Sequence, residues 1–292
     1  MAINSKIRKV LLIGTLMSIS LFVKSQSDFS KDIEFINYLC ENNELNNALH
    51  LIRKVKPDTT NRSQVDSLNY YKGWIFHMSK KVDSAIFYFE MIPNQSVLSA
   101  RSSFYKSLNY LYSKNSQASL NVMNMQTDTS HIPTQLKLLN VAGICLIDRD
   151  LKTFDSITKQ FDFSNHVYSE EQTYLLDIQK QIKKVKRKSP LVAGLLSAAV
   201  PGLGKYYAGK KGSSIATAAT TLIFGALTFE SWYRSGYKSP QTIVFGSLFT
   251  IFYMGNILGS AYSVKIQKRN YNAKINNEII ATLHIPIKRF FN

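Results

Sequence analysis

From Asp32 to about Lys188, apolar residues recur at three- and four-residue spacing, and no useful length of chain alternates as a strand would. That periodicity predicts amphipathic helices. The last of them, Tyr168 to Lys188, carries one apolar stripe of Leu175, Ile178, Ile182 and Val185. It ends in the basic run Lys183, Lys184, Lys186, Arg187 and Lys188. Beyond Pro190 the pattern changes. No charged side chain stands between Lys211 and Glu230, and none between Lys238 and Lys265. At about 1.5 Å per residue, each gap is long enough for a helix to cross a hydrocarbon core of about 30 Å. A shorter apolar run, Leu191 to Val200, precedes them. The pattern therefore divides the chain into a helical soluble segment, residues 26–188, and a membrane module, residues 189–271, with spans at about 191–207, 213–233 and 242–264. A mixed tail, residues 272–292, follows. Its Ile279 to Ile285 stretch reads as a short strand or an interfacial segment that Pro286 would end.

The first residues have their own pattern. Lys6, Arg8 and Lys9 precede the apolar run Val10 to Val23, and Val23-Lys24-Ser25-Gln26 follows. This is the layout of a secretory signal peptide, residues 1–25, with a cut after Ser25. An uncleaved signal anchor is the alternative. The Gln after the cut resembles exported proteins of the Bacteroidetes group. Export would place Cys40 and Cys145 in an oxidising compartment, where either a disulfide or two buried free thiols is open to them.

The soluble segment repeats. Phe76, Ala85 and Phe89 lie three, twelve and sixteen residues beyond Gly73. Small residues at Gly73 and Ala85 would let two helices approach closely, and Phe76 and Phe89 would fill the wedge between neighbouring units. Ala48, Ala85 and Ala118 are spaced by 37 and 33 residues, and Gly143 lies 70 beyond Gly73. Pro57 and Pro93 fall where second helices would stop. These residues resemble a divergent tetratricopeptide repeat, whose period is about 34 residues. The fold class is then all-α: an N-terminal signal peptide, a tetratricopeptide-like helical solenoid and a C-terminal helical transmembrane module. The resemblance implies a concave surface for a partner protein. A packing domain without a ligand is the plainer reading.

In the membrane module the first apolar run ends in a turn carrying Pro201, Gly202, Gly204, Tyr206, Tyr207 and Gly209. The turn, with the Tyr253-x-Gly255-Asn256-Ile257 segment, resembles uncharacterised bacterial membrane modules with a Pro-Gly-x-Gly-x-x-Tyr-x-Gly signature. More distantly, it is similar to a small two-span family with a Gly-rich hairpin. Pro201 and the glycines would break the first helix. Tyr206 and Tyr207 suit a membrane interface, hydroxyls in water. Gly255 and Gly259 form a Gly-x-x-x-Gly face that permits close helix contact and a homo-oligomer. Glu230 and Arg234, one turn apart, are placed to pair. Three crossings would leave Lys210, Lys211 and Lys265 to Lys274 in the cytoplasm, as the positive-inside tendency asks. Two crossings would put the C-terminus on the outer side. The expectation is three.

The formal charge is +17. Its cations flank the apolar segments, which points to lipid headgroups rather than nucleic acid. His50, His77, His131, His166 and His284 show no metal-ligand spacing. No Gly-x-Ser-x-Gly elbow occurs, and no Gly-Lys-Ser/Thr frame follows the Gly-rich turn. Asp148 and Asp150 flank Arg149 as a solvated cluster. No catalytic, cofactor-binding or metal residue is therefore assigned. The expectation is a non-enzymatic scaffold or adaptor at the inner membrane. Its helical domain would be periplasmic and bind an unidentified protein partner. A small transporter or channel subunit is the alternative.

Overall fold

The computed structural model describes residues 29–126, 134–164, 166–185 and 188–291. The expected signal peptide, Lys186, Arg187 and His131 lie outside the described residues. Among the described residues no strand occurs, and the helices are α1 (Phe29–Glu41), α2 (Leu45–Ile52), α3 (Arg62–Met78), α4 (Val82–Glu90), α5 (Ser99–Tyr112), α6 (Ser116–Met125), α7 (Thr134–Asp148), α8 (Leu151–Thr158), α9 (Ser169–Lys184), α10 (Pro190–Ala199), α11 (Leu203–Tyr207), α12 (Lys211–Ser235) and α13 (Pro240–Phe291). The chain forms two compact units. One is built from the described residues up to Ile144 together with those from His284 onward. The other is Cys145–Leu283.

A single backbone device recurs along the first half. Asn43, Lys80, Lys114 and Arg149 are the non-glycine residues with positive φ among the described residues, at 61°, 58°, 63° and 63°. Their steps are 37, 34 and 35 residues. Each follows the first helix of a pair and turns the chain into the second. At each turn the next residue's N–H reaches back five residues to a helical carbonyl: Glu44 to Leu39, Lys81 to Phe76, Asn115 to Tyr110 and Asp150 to Cys145. This is the Schellman arrangement, which satisfies carbonyls that the helix end leaves open. Glycine would take the left-handed position at less cost. Asn, Lys, Lys and Arg hold it here, so the turn carries no glycine signal in the sequence.

In the first unit, α1 packs on α2, α3 on α4 and α5 on α6. First helices also pack on one another, α1 on α3 and α3 on α5. The α3–α4 contact is tight at Gly73, where an added Cβ would lie 2.8 Å from the Phe89 ring. Ala85 and Phe89 are fully buried. Phe76 differs from the expectation. It is half-buried and stacks on Tyr88 of its own helix pair, centroids 5.5 Å apart. The space between α3–α4 and α5 is filled instead by Tyr105, 4.7 Å from Trp74 and 6.2 Å from Phe89 between centroids. Burying one such ring contributes about 2–3 kcal/mol.

The tail of the chain is helical, neither strand nor loop. α13 runs through Pro286, with Ile275, Ile279, Leu283 and Ile287 buried at four-residue spacing. Burial of that stripe outweighs the one helical N–H that Pro286 lacks. The last turns belong to the first unit. His284 lies 5.5 Å from His77, and Phe291 lies 5.6 Å from Phe104, between ring centroids. Both cysteines are free and buried.

In the second unit, α12 and α13 are long and apolar enough to cross a membrane. Their burial is inverted relative to a water-soluble helix. On α12 the buried residues are Ser214 and Thr221, while Ile215, Leu222, Ile223 and Phe229 are each more than half exposed. An apolar face of that extent against water is unfavourable, and against lipid it is satisfied. The two helices touch where the Phe224 and Phe252 rings stack at 5.0 Å. Arg234 and Glu230 pair at 3.0 Å, as their spacing predicts.

Candidate functional site

The site is the break between α10 and α11, held by α12 and α13. Ser189 caps α10, accepting the Val192 N–H, and Pro190 takes the first turn, where no donor is needed. α10 then stops after ten residues. That is about 15 Å of helix, half the thickness a crossing requires. Gly202 turns the chain at φ 87°. A Cβ there would lie 2.5 Å from the Ser214 carbonyl oxygen, so the position needs glycine for both conformation and space. Gly204 is tighter still, because a Cβ would lie 1.9 Å from the Ala193 carbonyl oxygen.

Breaking a helix in apolar surroundings exposes backbone groups that must find partners. Pro201 has no N–H, so the Ser197 carbonyl loses its helical donor. Asn256 Nδ2 on α13 donates to it at 3.2 Å. The Gly202 N–H is turned away from the Ala198 carbonyl and donates instead to Asn256 Oδ1 at 3.2 Å. Tyr253 Oη supplies the Ala198 carbonyl at 2.5 Å. The Gly204 N–H donates to Ser197 Oγ at 3.0 Å, and that hydroxyl also meets Ser260 Oγ at 2.7 Å. Ser214 Oγ donates to the Gly202 carbonyl at 2.7 Å. Asn256, Ser197 and Ser260 are at most 1% exposed, so these bonds form out of reach of water. Lys205 Nζ donates to Thr217 Oγ1 at 2.6 Å.

The expected turn residues thus come together: Pro201, Gly202 and Gly204 at the break, Gly209 in the next turn at φ 87°. Tyr206 is exposed. Tyr207 departs from the expectation of a hydroxyl in water. Its oxygen accepts the Ser189 N–H at 3.2 Å, and Lys188 Nζ sits 5.6 Å above its ring. A Cβ on Gly255 would meet nothing within 4 Å, and one on Gly259 would meet only Lys205, at 3.7 Å. Within one chain the close contact to α10 is made one residue further on, by Asn256 and Ser260. In the sequence Tyr253 enters only as part of the segment that carries the module resemblance, and Ser197, Ser214 and Ser260 are not singled out. Their only signal is polarity inside uncharged apolar runs.

The polar network contains hydroxyls, amides and one lysine, with neither a nucleophile–base pair nor a carboxylate. No group of three or more His, Cys, Asp or Glu gathers among the described residues. No family model, curated protein or solved structure matches this chain.

Proposed function

We propose that the protein is a non-enzymatic, membrane-anchored scaffold or adaptor whose helical-repeat domain binds a protein partner at the cell envelope. The observation that carries this reading is the turn recurring at Asn43, Lys80, Lys114 and Arg149 in a chain that also holds the apolar helices α12 and α13. Helix pairs recurring at about this period are the layout of a tetratricopeptide-like solenoid, and such solenoids present extended surfaces to proteins. Phe35, Tyr38 and Phe87 are about half exposed and offer apolar contact. α10 and α11 form an anchoring element inside the membrane face rather than a third crossing. The chain up to Ile144 and the tail from His284 belong to one unit, which supports a reading in which both lie on the same side of the membrane, with α12 and α13 crossing between. The signal-like N-terminus directs that side to the periplasm of an inner-membrane protein.

Photo-crosslinking from Tyr38 and Phe87 in the full-length protein in cells tests this. A discrete envelope-protein adduct, lost when Trp74→Ala disrupts the domain, supports the reading. Adducts to lipid alone would contradict it. A small transporter or channel subunit is the second reading, favoured by the broken helix and its buried polar lining. It requires that Gly202→Ala or Gly204→Ala change flux in reconstituted vesicles, and unchanged flux removes it.

A further inference from the structure

The second unit contains a cavity of about 340 Å³ where the last turn of α9 meets α13 just beyond its apolar stretch. Three cations line it: Arg149, Lys188 and Lys268. None of the described residues that line it is a carboxylate. Ile182 and Val264 provide an apolar wall, and Gln267 adds an amide.

These residues reach the cavity for separable reasons. Arg149 occupies the left-handed turn after α7, where its guanidinium donates to the Leu146 and Ile147 carbonyls. Its second nitrogen donates to Asn272 Oδ1 on α13 at 3.3 Å. The planar group is therefore fixed in direction. Lys188 stands one residue before the cap of α10, and Lys268 stands one turn beyond Val264, the end of the apolar stretch of α13. Both ammonium groups thus lie at the level where apolar chain gives way to charge. The Tyr271 hydroxyl, beside Asn272 on the cavity wall, has no hydrogen-bond partner among the described residues. Gln267 Nε2 approaches Gly209 within 3.2 Å of where a Cβ would stand, so the Gly-rich turn borders the same place.

We propose that this cavity binds a phosphate-bearing anion, the headgroup of an acidic phospholipid. A fixed guanidinium with two flexible ammoniums matches phosphate oxygens in geometry and charge. Val264 of the apolar wall stands at the end of the apolar stretch of α13, beside which acyl chains would lie. Basic pockets at the ends of spans bind lipid headgroups by this chemistry. The same binding gives a use to cations that an exported face would otherwise carry against the positive-inside tendency. The inference rests on the membrane placement proposed above.

The test uses the full-length protein purified in detergent. Thermal unfolding and native mass spectrometry are run with short-chain phosphatidylglycerol, short-chain phosphatidylcholine or inorganic phosphate. Phosphatidylglycerol is expected to raise the Tm and remain bound. Lys188→Gln with Lys268→Gln should weaken its apparent Kd about tenfold or more, as loss of charge-assisted bonds does. Lys54→Gln with Lys56→Gln, the same change in net charge on the first unit, should leave it unaltered. An equal response to inorganic phosphate would assign the site to free phosphate with the same chemistry. Equal binding of both lipids, or no effect of the Lys188 and Lys268 changes, would overturn the proposal. Val264→Trp fills the cavity without altering charge, and it decides the matter if the double variant fails to fold. Carbonate extraction of membranes, run alongside, separates the two claims. Protein that extracts freely defeats the anchor itself, whereas protein that stays without lipid selectivity defeats only the cavity.

Discussion

Asn256 holds Gly202 across 54 residues of sequence, its Oδ1 accepting the Gly202 N–H at 3.2 Å. Its Nδ2 meanwhile serves the Ser197 carbonyl that Pro201 leaves without a donor. One side chain therefore supplies both sides of the helix break. Asn256→Leu would keep the volume and strand two buried backbone groups. Each such group costs about 1–3 kcal/mol. The purified protein should lose about 2–6 kcal/mol of stability in thermal or denaturant unfolding, while exposed Met254→Leu should change it by about 0.5 kcal/mol or less. Equal stability of the two variants would mean that the network contributes nothing.

Glycines in the module separate into two kinds. Gly204→Ala forces a Cβ against the Ala193 backbone, which cannot yield as a side-chain end could. It should destabilise the module by about 3 kcal/mol or abolish its folding. Gly212 stands in the first turn of α12 with nothing within 4 Å, so Gly212→Ala should be neutral or stabilising by up to about 1 kcal/mol. Expression level and Tm of the two variants check the contrast.

The first unit should lose stability in mild acid. Burial holds His77 down to about 4, against the opposing hydrogen bond from Asn109, and burial with Lys288 lowers His284. Trp74, Tyr105, Tyr112 and His284 are the other rings facing His77, and no carboxylate is among them. A depressed histidine is neutral in the fold and protonated in the unfolded chain below about 6.5. The unfolded chain then binds more protons, so stability is complete above 6.5 and falls as pH drops toward 4, by about 1 kcal/mol per pH unit. His77→Gln should flatten the slope of Tm between pH 7 and 5.

Cys40 and Cys145 are each pushed up to about 11, mainly by burial. Thiols held so far above neutral are weak nucleophiles. Both should resist a soluble maleimide in the folded protein and react on denaturation, and the oxidised and reduced protein should migrate alike on a gel. Fast labelling of either would contradict their burial.

Helices and apolar gaps are legible in the sequence because periodicity and the absence of charge are local signals. Gly73 is legible for the same reason: a small residue sixteen positions before a Phe announces a close approach. The repeat itself is only faint, since its most regular element is a left-handed turn occupied by Asn, Lys, Lys and Arg. Spacing misplaces Phe76 because it gives a helix face but not the neighbour that face meets. In the tail, one Pro masks Ile275, Ile279, Leu283 and Ile287, whose spacing already describes a helix. At the break, Pro201 and the glycines announce the turn. Nothing local ties them to Asn256, Tyr253 and Ser260 on a helix beginning almost forty residues later.

The central claim is that the helical domain and the tail from His284 lie on one side of a membrane that α12 and α13 cross. Single cysteines at Gln117, Lys238 and Lys288 test it most directly, with Cys40 and Cys145 replaced by Ala. An impermeant thiol reagent is applied to intact spheroplasts. The account predicts that Gln117→Cys and Lys288→Cys label while Lys238→Cys, in the turn between the spans, is protected. Labelling of Lys238→Cys alone would keep the domain and tail together but place them in the cytoplasm, against the proposed export. Labelling of only one of Gln117→Cys and Lys288→Cys would contradict the account at its centre.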